Sequence, residues 1–331
     1  MTPPIARFKD ALRHVGLLAG LAMGLAVLLL LSLLIGPAGF GLPPSNAALI
    51  MTEVRLPRAL LAILVGAALG TSGAALQGYL RNPLAEPGVI GISSGAGLGA
   101  VLAIHSGAAA TFASALPLGG LVGAALATVL VLLLAGRHGG ALTLILAGVA
   151  VASAATALMS LALSLAPNPF AAVEIVFWLL GSLADRSLEH VWLAAPFIAT
   201  GLVILLRLGP SLDALALGED GARNLGIALG AVRLQIVAGS ALAVGAATAV
   251  AGTIGFVGLV VPHVLRPFVG HQPSRLLPAS MLGGAILVLA ADILVRVLTP
   301  SGELRLGVLT ALIGTPLFLW LVVETRRSLA P

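Results

Sequence analysis

Ten apolar stretches recur along this sequence, separated by short polar, Gly-rich or Pro-rich breaks, and no other feature narrows the possible folds so far. They lie near residues 15–35, 58–79, 90–106, 115–135, 142–165, 190–207, 232–251, 256–268, 276–297 and 306–323. A helix needs about 20 apolar residues to cross the hydrocarbon of a bilayer. Within lipid it must also satisfy its own backbone polar groups, which a helix does. The expected fold class is an all-α polytopic membrane protein, with about ten transmembrane helices in one transmembrane domain over residues 1–331. Stretches 90–106 and 256–268 are short, so they are expected to be tilted, broken or buried in protein. The first run is longer than the about 7–15 apolar residues of a secretory signal, and is read as a retained span. Only 9% of the 331 residues are charged, against about 25% in soluble domains, which excludes an ordinary globular enzyme.

Two segments do not fit a spanning helix. Residues 168–188 carry EIVFWLLGSL between polar ends and read as a short helix folded into one membrane surface. Residues 208–230 contain LDALALGEDGARNLGI, an amphipathic Leu/Ala repeat bearing Asp213, Glu219, Asp220 and Arg223. A helical hairpin lying on a membrane face fits that pattern. With ten spans both termini share a side, and twelve of the 17 Lys and Arg residues fall there together with the hairpin. Arg55, Arg58, Arg186, Arg296 and Arg305 fall opposite. Basic residues concentrate on the cytoplasmic side. Both termini and 208–230 are therefore expected in the cytoplasm, and 168–188 outside.

The formal charge of +5 does not imply a nucleic-acid partner, because the basic residues are scattered between apolar runs. Lys9 is the only lysine, and Phe8-Lys9-Asp10 is no GxxxxGK[ST] phosphate loop. Any ATP and Mg must be bound by another chain, and no cofactor is expected on this one. The six His residues lack metal-ligand spacing, so no metal is expected either. Gly91, Gly95 and Gly99 share a helix face and would let a second helix approach closely. Gly70-Thr71-Ser72-Gly73 is similar to the nucleophile motif of rhomboid-like intramembrane serine proteases, which would need a His base within reach. Gly91-Ile92-Ser93-Ser94-Gly95 matches G-x-S-x-G but opens a membrane helix with no preceding strand. No catalytic residue is assigned. Asp292 and Arg296 form an i,i+4 pair of opposite charge within the ninth stretch, expected as an ion pair near the outer surface. Its functional reading is that Arg296 presents charge outwards together with Arg55 and Arg58.

Taken together, RLPR at 55–58, Gly66–Gln77, RNPLAEPGVIG at 81–91 and FWLLGSL at 177–183 resemble the FecCD-type permeases of ABC importers. The similarity continues through LALGEDGARNLGI at 215–227, GTIGFVGLVVPHVLR at 252–266, residues 274–296 and GVLTALIGTPLFLWL at 307–321. That family takes up ferric siderophores, heme and cobalamin. The resemblance implies a type II importer permease in a bacterial inner membrane, a homodimer served by two cytoplasmic ATPase subunits and a periplasmic substrate-binding protein. It implies ATPase coupling through Gly218, Glu219, Ala222, Leu225 and Gly226, and docking of binding-protein carboxylates at Arg55, Arg58 and Arg296. It also implies a cytoplasmic gate at Asn82 and Leu84, with a second strip near Leu142 and Thr143. The expected transport is by alternating access, along a path lined by the fifth stretch and 168–188. LAEPGVIGISSGA and HQPSRLLPASMLGGA look most like heme-type members. Heme is therefore the expected cargo, ahead of ferric siderophore and cobalamin, with Arg186 as a candidate cargo contact. One departure stands out: Arg305 occupies a position where the family usually has Pro, which frees a backbone N–H and adds an outward charge. An ion-coupled transporter is the remaining class; it would want buried carboxylates near the midplane, whereas most of the twelve acids fall at helix ends or in loops.

Overall fold

The computed structural model describes residues 4–36, 39–41, 46–112, 114–136, 139–299 and 304–329. Arg137, one of the twelve basic residues counted to the cytoplasmic side, and Glu303, two residues before Arg305, lie outside these residues. Leaving aside the one-turn segments Ala47–Ile50 and Ala108–Thr111, the α-helices in chain order are α1 (Pro4–Leu34), α2 (Leu56–Leu80), α3 (Ile92–His105), α4 (Ala115–Ala135), α5 (Ala141–Ser164), α6 (Pro169–Leu179) and α7 (Leu188–Arg207). They continue with α8 (Gly209–Leu215), α9 (Glu219–Asn224), α10 (Leu229–Ala251), α11 (Val257–Leu265), α12 (Pro273–Leu298) and α13 (Leu306–Leu329). A two-stranded ribbon, β1 (Ile35–Gly36) and β2 (Gly39–Phe40), pairs antiparallel beyond the end of α1. Each of the ten apolar stretches is a helix. Among the described residues seven helices are long and apolar enough to cross a membrane, and four shorter apolar ones include 92–105 and 257–269.

The two short spans are short for a local reason. α3 begins only after a 3-10 turn, Pro87–Ile90, and the left-handed Gly91 at φ 77°. α11 begins after the non-helical stretch 252–255, with Phe256 itself left-handed at φ 66°. Both helices are sheathed by neighbours, which satisfies the irregular backbone that bare lipid would not tolerate.

Apolar side chains gain little by leaving lipid for one another, so close backbone approach has to hold the bundle together. In α2 and α12 a Cβ added to Gly66 would stand 2.2 Å from the Gly284 carbonyl oxygen, and one added to Gly284 would stand 2.1 Å from that of Gly66. The α3–α4 crossing repeats the device, with Gly99 against the Gly119 carbonyl and Gly95 against that of Gly123. The Gly95 and Gly99 spacing thus serves packing. α2 lies at the centre of the bundle, with 83% of its most apolar window buried, against 6% for α1. α1 therefore lies at the rim and leans on α12.

Candidate functional site

Two ends of the bundle carry its polar residues. At one end, α7 leads through Arg207 into α8 and α9, a compact hairpin. Gly218 starts α9 with φ 100°, a conformation that favours glycine. Glu219 and Asp220 occupy the first turn, where the helix dipole favours negative charge. Arg223 reaches back to both, 3.2 Å from Glu219 Oε2 and 3.0 Å from Asp220 Oδ1. These exposed pairs contribute at most about 1 kcal/mol each. The turn closes as a Schellman motif: Ile227 N–H donates to Ala222 O at 3.0 Å and Gly226 N–H to Arg223 O at 2.9 Å, with Gly226 at φ 81°. Ala222 is fully buried and anchors the turn, whereas Leu217 and Leu225 are exposed beside it. Asp213 of α8 accepts from Ser274 N–H at 2.8 Å and from Gln272 Nε2 at 3.1 Å, which fastens the hairpin to the first turn of α12.

Next to the hairpin runs the 81–91 connection. Asn82 Oδ1 accepts the Leu84 N–H at 2.9 Å and makes a tight turn there. Leu84 packs with Leu259, Val260 and Leu321. Thr143, the proposed second gate position, is on another element, exposed in the first turn of α5 beside Gly139. Two residues that the sequence reading left unassigned hold this connection in place. Gln77 Nε2 donates to Ala85 O and Gly258 O at 3.3 Å, while its Oε1 accepts from Arg266. Glu86 Oε1 accepts the Phe256 N–H at 2.6 Å and so caps α11 from a distant part of the chain. The signal for Glu86 was its rarity: it is an acid in a chain with only twelve. Glu86→Ala is expected to cost about 1 kcal/mol, as for a lost helix cap. Hydrogen exchange should accelerate at residues 256–259, and Glu86→Gln, which keeps an acceptor, should show less of both effects.

At the opposite end the structure corrects one expectation. Asp292, fully buried, accepts from Arg58 Nε at 2.8 Å and lies 3.0 Å from Arg296 Nη2. The anticipated i,i+4 pair is present, but Arg58 completes it from α2. Arg296 and Arg55 do not present their charge outwards: they are 6% and 7% exposed. Arg296 donates to Ser32 O, Ser32 Oγ and Ile35 O at 2.6–2.9 Å. Arg55 donates to Leu33 O and Gly41 O at 2.6 and 3.0 Å. Both guanidiniums occupy the negative end of the α1 dipole and satisfy its last carbonyls. That pins the otherwise loosely packed α1 to the bundle.

Also at this end, Asn168 caps α6, its Oδ1 accepting the Ala171 N–H at 2.9 Å. After α6, Arg186 is half-buried in the connection to α7. Burial pushes its pKa below the ordinary arginine value, the adjacent Asp185 opposes that shift, and the charge of Arg305 adds to it. The Arg305 guanidinium lies 4.6 Å from the centre of the Phe177 ring. A cavity of about 570 Å³ opens between the end of α6, the 253–256 segment and the first turns of α13. On the outer face of α5, Ser153, Thr156 and Ser160 line a shallow groove that reaches Val89 of the 81–91 connection.

No arrangement for hydrolysis is formed around Ser72. It is fully buried in the α2 crossing, its hydroxyl has no hydrogen-bond partner among the described residues, and the flanking Gly70 and Gly73 press on the Ser280 and Gly258 carbonyls. Ser72 is a packing residue of the α2 crossing and not a protease nucleophile. The described residues also hold no cluster of His, Asp or Glu suited to a metal ion.

Comparison with known proteins agrees with this architecture. Residues 16–324 match the model of the FecCD transport family. The chain is 40% identical over 314 residues to the vitamin B12 import system permease protein BtuC of Klebsiella pneumoniae, covering 93% of this chain and 94% of that one. It is 39% identical to the BtuC of Citrobacter koseri, over 86% and 85% of the two chains. A solved structure, described as an inward-facing conformation of a metal-chelate type ABC transporter, superposes with a TM-score of 0.85 at 36% identity, over 93% of this chain and 98% of that one. Both BtuC relatives are named for vitamin B12, so the expectation of heme as cargo is not supported. The chain is a multi-pass membrane protein and no enzyme in itself, since ATP hydrolysis in such importers resides in a separate subunit. With a matching family model over almost its whole length and relatives at 40% identity, it belongs to the FecCD transport family as a permease subunit of a type II ABC importer.

Proposed function

We propose that this chain is the membrane path through which an ABC importer moves a corrinoid of the vitamin B12 type into a bacterial cell. The observation that carries the cargo is the 40% identity, over 93% of the chain, to a vitamin B12 permease. In this reading two copies face each other, the hairpin end lies in the cytoplasm with both termini, and the opposite end meets a periplasmic binding protein. ATP and Mg are held by two partner ATPase subunits.

The geometry supports a division of labour. The α8–α9 hairpin offers exposed Leu217 and Leu225 on either side of a charged turn, a shape suited to a cleft on the ATPase. Because Asp213 ties the hairpin to α12, and Gly78 of α2 packs on Leu212, a push on the hairpin reaches the helices beside the 81–91 connection. Asn82 and Leu84 then act as the cytoplasmic gate, with Thr143 as a second strip. The stripe Ser153, Thr156 and Ser160 favours a wet path over lipid, since Thr156 and Ser160 satisfy their donors within α5 but leave their acceptors free. On the outer side Arg58 is the most accessible of the three docking arginines. Arg55 and Arg296 would have to leave the α1 carbonyls to meet a carboxylate.

The test is ATP hydrolysis by the assembled importer in nanodiscs. Vitamin B12 with its binding protein should stimulate hydrolysis in the wild-type complex. Leu225→Asp, at a side chain 62% exposed, should weaken ATPase docking by on the order of tenfold while the permease remains folded. Stimulation that is unchanged by Leu225→Asp would contradict the coupling assignment. Absence of any corrinoid response would contradict the cargo.

A further inference from the structure

Of the five residues that join α4 to α5, Gly136, Gly139 and Gly140 have no side chain by which to be held. What they offer is carbonyls, and one side chain takes two of them. Arg233 of α10, only 8% exposed, donates through Nη1 to Gly139 O and through Nη2 to Gly136 O at 2.7 Å. A guanidinium presents its donors as a rigid fork, so two such bonds fix the spacing of the acceptors as well as their positions. A residue that merely capped α4 would bond the carbonyls of its last turn. Here both acceptors lie beyond Ala135, the last residue of α4, and Gly139 stands one residue before Gly140, the N-cap of α5. Gly139 also lies against the second gate position: a Cβ added to it would stand 3.1 Å from Thr143 Cβ. Holding Gly139 therefore holds the first turn of α5. The other end of the contact belongs to the hairpin. After the turn at Gly226, Ala228 is the N-cap of α10, and Arg233 follows in the second turn of that helix. Glu219 and Arg223 of the hairpin line, together with Gly139, Gly140 and Arg233, one cavity of about 570 Å³. The open space gives the α4–α5 connection room to move, and the Arg233 fork ties its movement to α10.

We propose that Arg233 is the positioning residue that carries a displacement of the ATPase-facing hairpin to the second gate strip at Thr143. Asp213 and Gly78 carry the same displacement towards the 81–91 connection. One hairpin then drives both strips, by two separate routes. Coupling needs a physical contact between elements that shift together, and a two-bond fork can persist while α10 moves as a rigid body. The inference rests on the gate reading above and deepens it; it does not depend on the cargo.

The chain has no cysteine, so Thr143→Cys and Leu84→Cys each place a single thiol in the permease chain, one on each strip. The complete importer in nanodiscs is exposed to a membrane-impermeant maleimide, with and without ATP and vanadate, and labelling of the permease is followed by mass spectrometry. With Arg233 intact, ATP and vanadate should change the labelling rate at both thiols by at least about fivefold, the low end of ordinary coupling between sites. Adding Arg233→Leu should cut the change at Thr143→Cys to less than about twofold and leave that at Leu84→Cys at about fivefold. Arg233→Lys keeps the charge and loses the fork, so its change at Thr143→Cys should be intermediate. It decides the question alone if the leucine variant does not assemble. A full response at Thr143→Cys in the Arg233 variants that assemble would overturn the inference and leave the gate reading standing. Equal loss at both thiols would also overturn it, by making Arg233 a residue of general stability. No response at Thr143→Cys with Arg233 intact would contradict the gate reading itself, and the inference with it.

Discussion

Gly284→Val is expected to abolish the cooperative unfolding of the solubilised permease. A Cβ at this position would lie 2.1 Å from the Gly66 carbonyl oxygen and 3.1 Å from the Gly70 Cα. Both are backbone atoms, so no rotamer change can make room, and α2 and α12 must separate. Overpacking a core by a few methylenes costs about 1–3 kcal/mol where side chains can shift; here the cost should exceed that range. Separation would also pull Arg58 of α2 away from Asp292 of α12. Gly24→Val is the control, because a Cβ there meets only Ile286 Cδ1 at 3.8 Å. Thermal unfolding in detergent, followed by near-ultraviolet circular dichroism, should show a native-like transition for the control and none for Gly284→Val.

Asp292→Ala should be the most damaging substitution of a polar side chain. It removes the carboxylate that contacts both Arg58 and Arg296 and strands their charges in a buried site. Breaking a buried pair in this way costs about 3–5 kcal/mol, because the desolvated charge remains. The effect should spread to α1, since Arg296 also holds Ser32 and Ile35. Hydrogen exchange should rise at residues 32–35 even where the rest of the bundle stays protected. Adding Arg58→Leu to Asp292→Ala should recover part of the stability, because it removes one of the two stranded charges. A double variant no more stable than the single one would show that Arg58 draws little from this contact.

The bundle itself was legible in the sequence because lipid leaves so few options: each apolar stretch had to become a helix or be covered by others. The spacing of Gly95 and Gly99 revealed a packing face but not its partners on α4, since those depend on how two distant stretches cross. Local pairs were similarly readable. Asp292 and Arg296 are one helical turn apart, so their contact follows from periodicity alone, whereas the contribution of Arg58, 234 positions away, does not. The outward reading of Arg55 and Arg296 failed for a related reason. Charge marks which end of the bundle an arginine occupies, but only the tertiary structure brings the last carbonyls of α1 over these two. Glu86 went unassigned because its partner is a backbone N–H at Phe256, a group that every non-proline residue carries. The cargo lay beyond the motifs altogether, since segments shared across the family distinguish its members poorly.

The central claim, ATP-driven import of a corrinoid through this chain, is tested most directly by transport. Proteoliposomes holding the permease and its ATPase, with ATP enclosed and binding protein outside, are supplied with labelled cobalamin. Accumulation should require the binding protein and enclosed ATP, and should persist when ion gradients are collapsed. Accumulation without ATP that follows an imposed ion gradient, or no accumulation under any of these conditions, would contradict the claim.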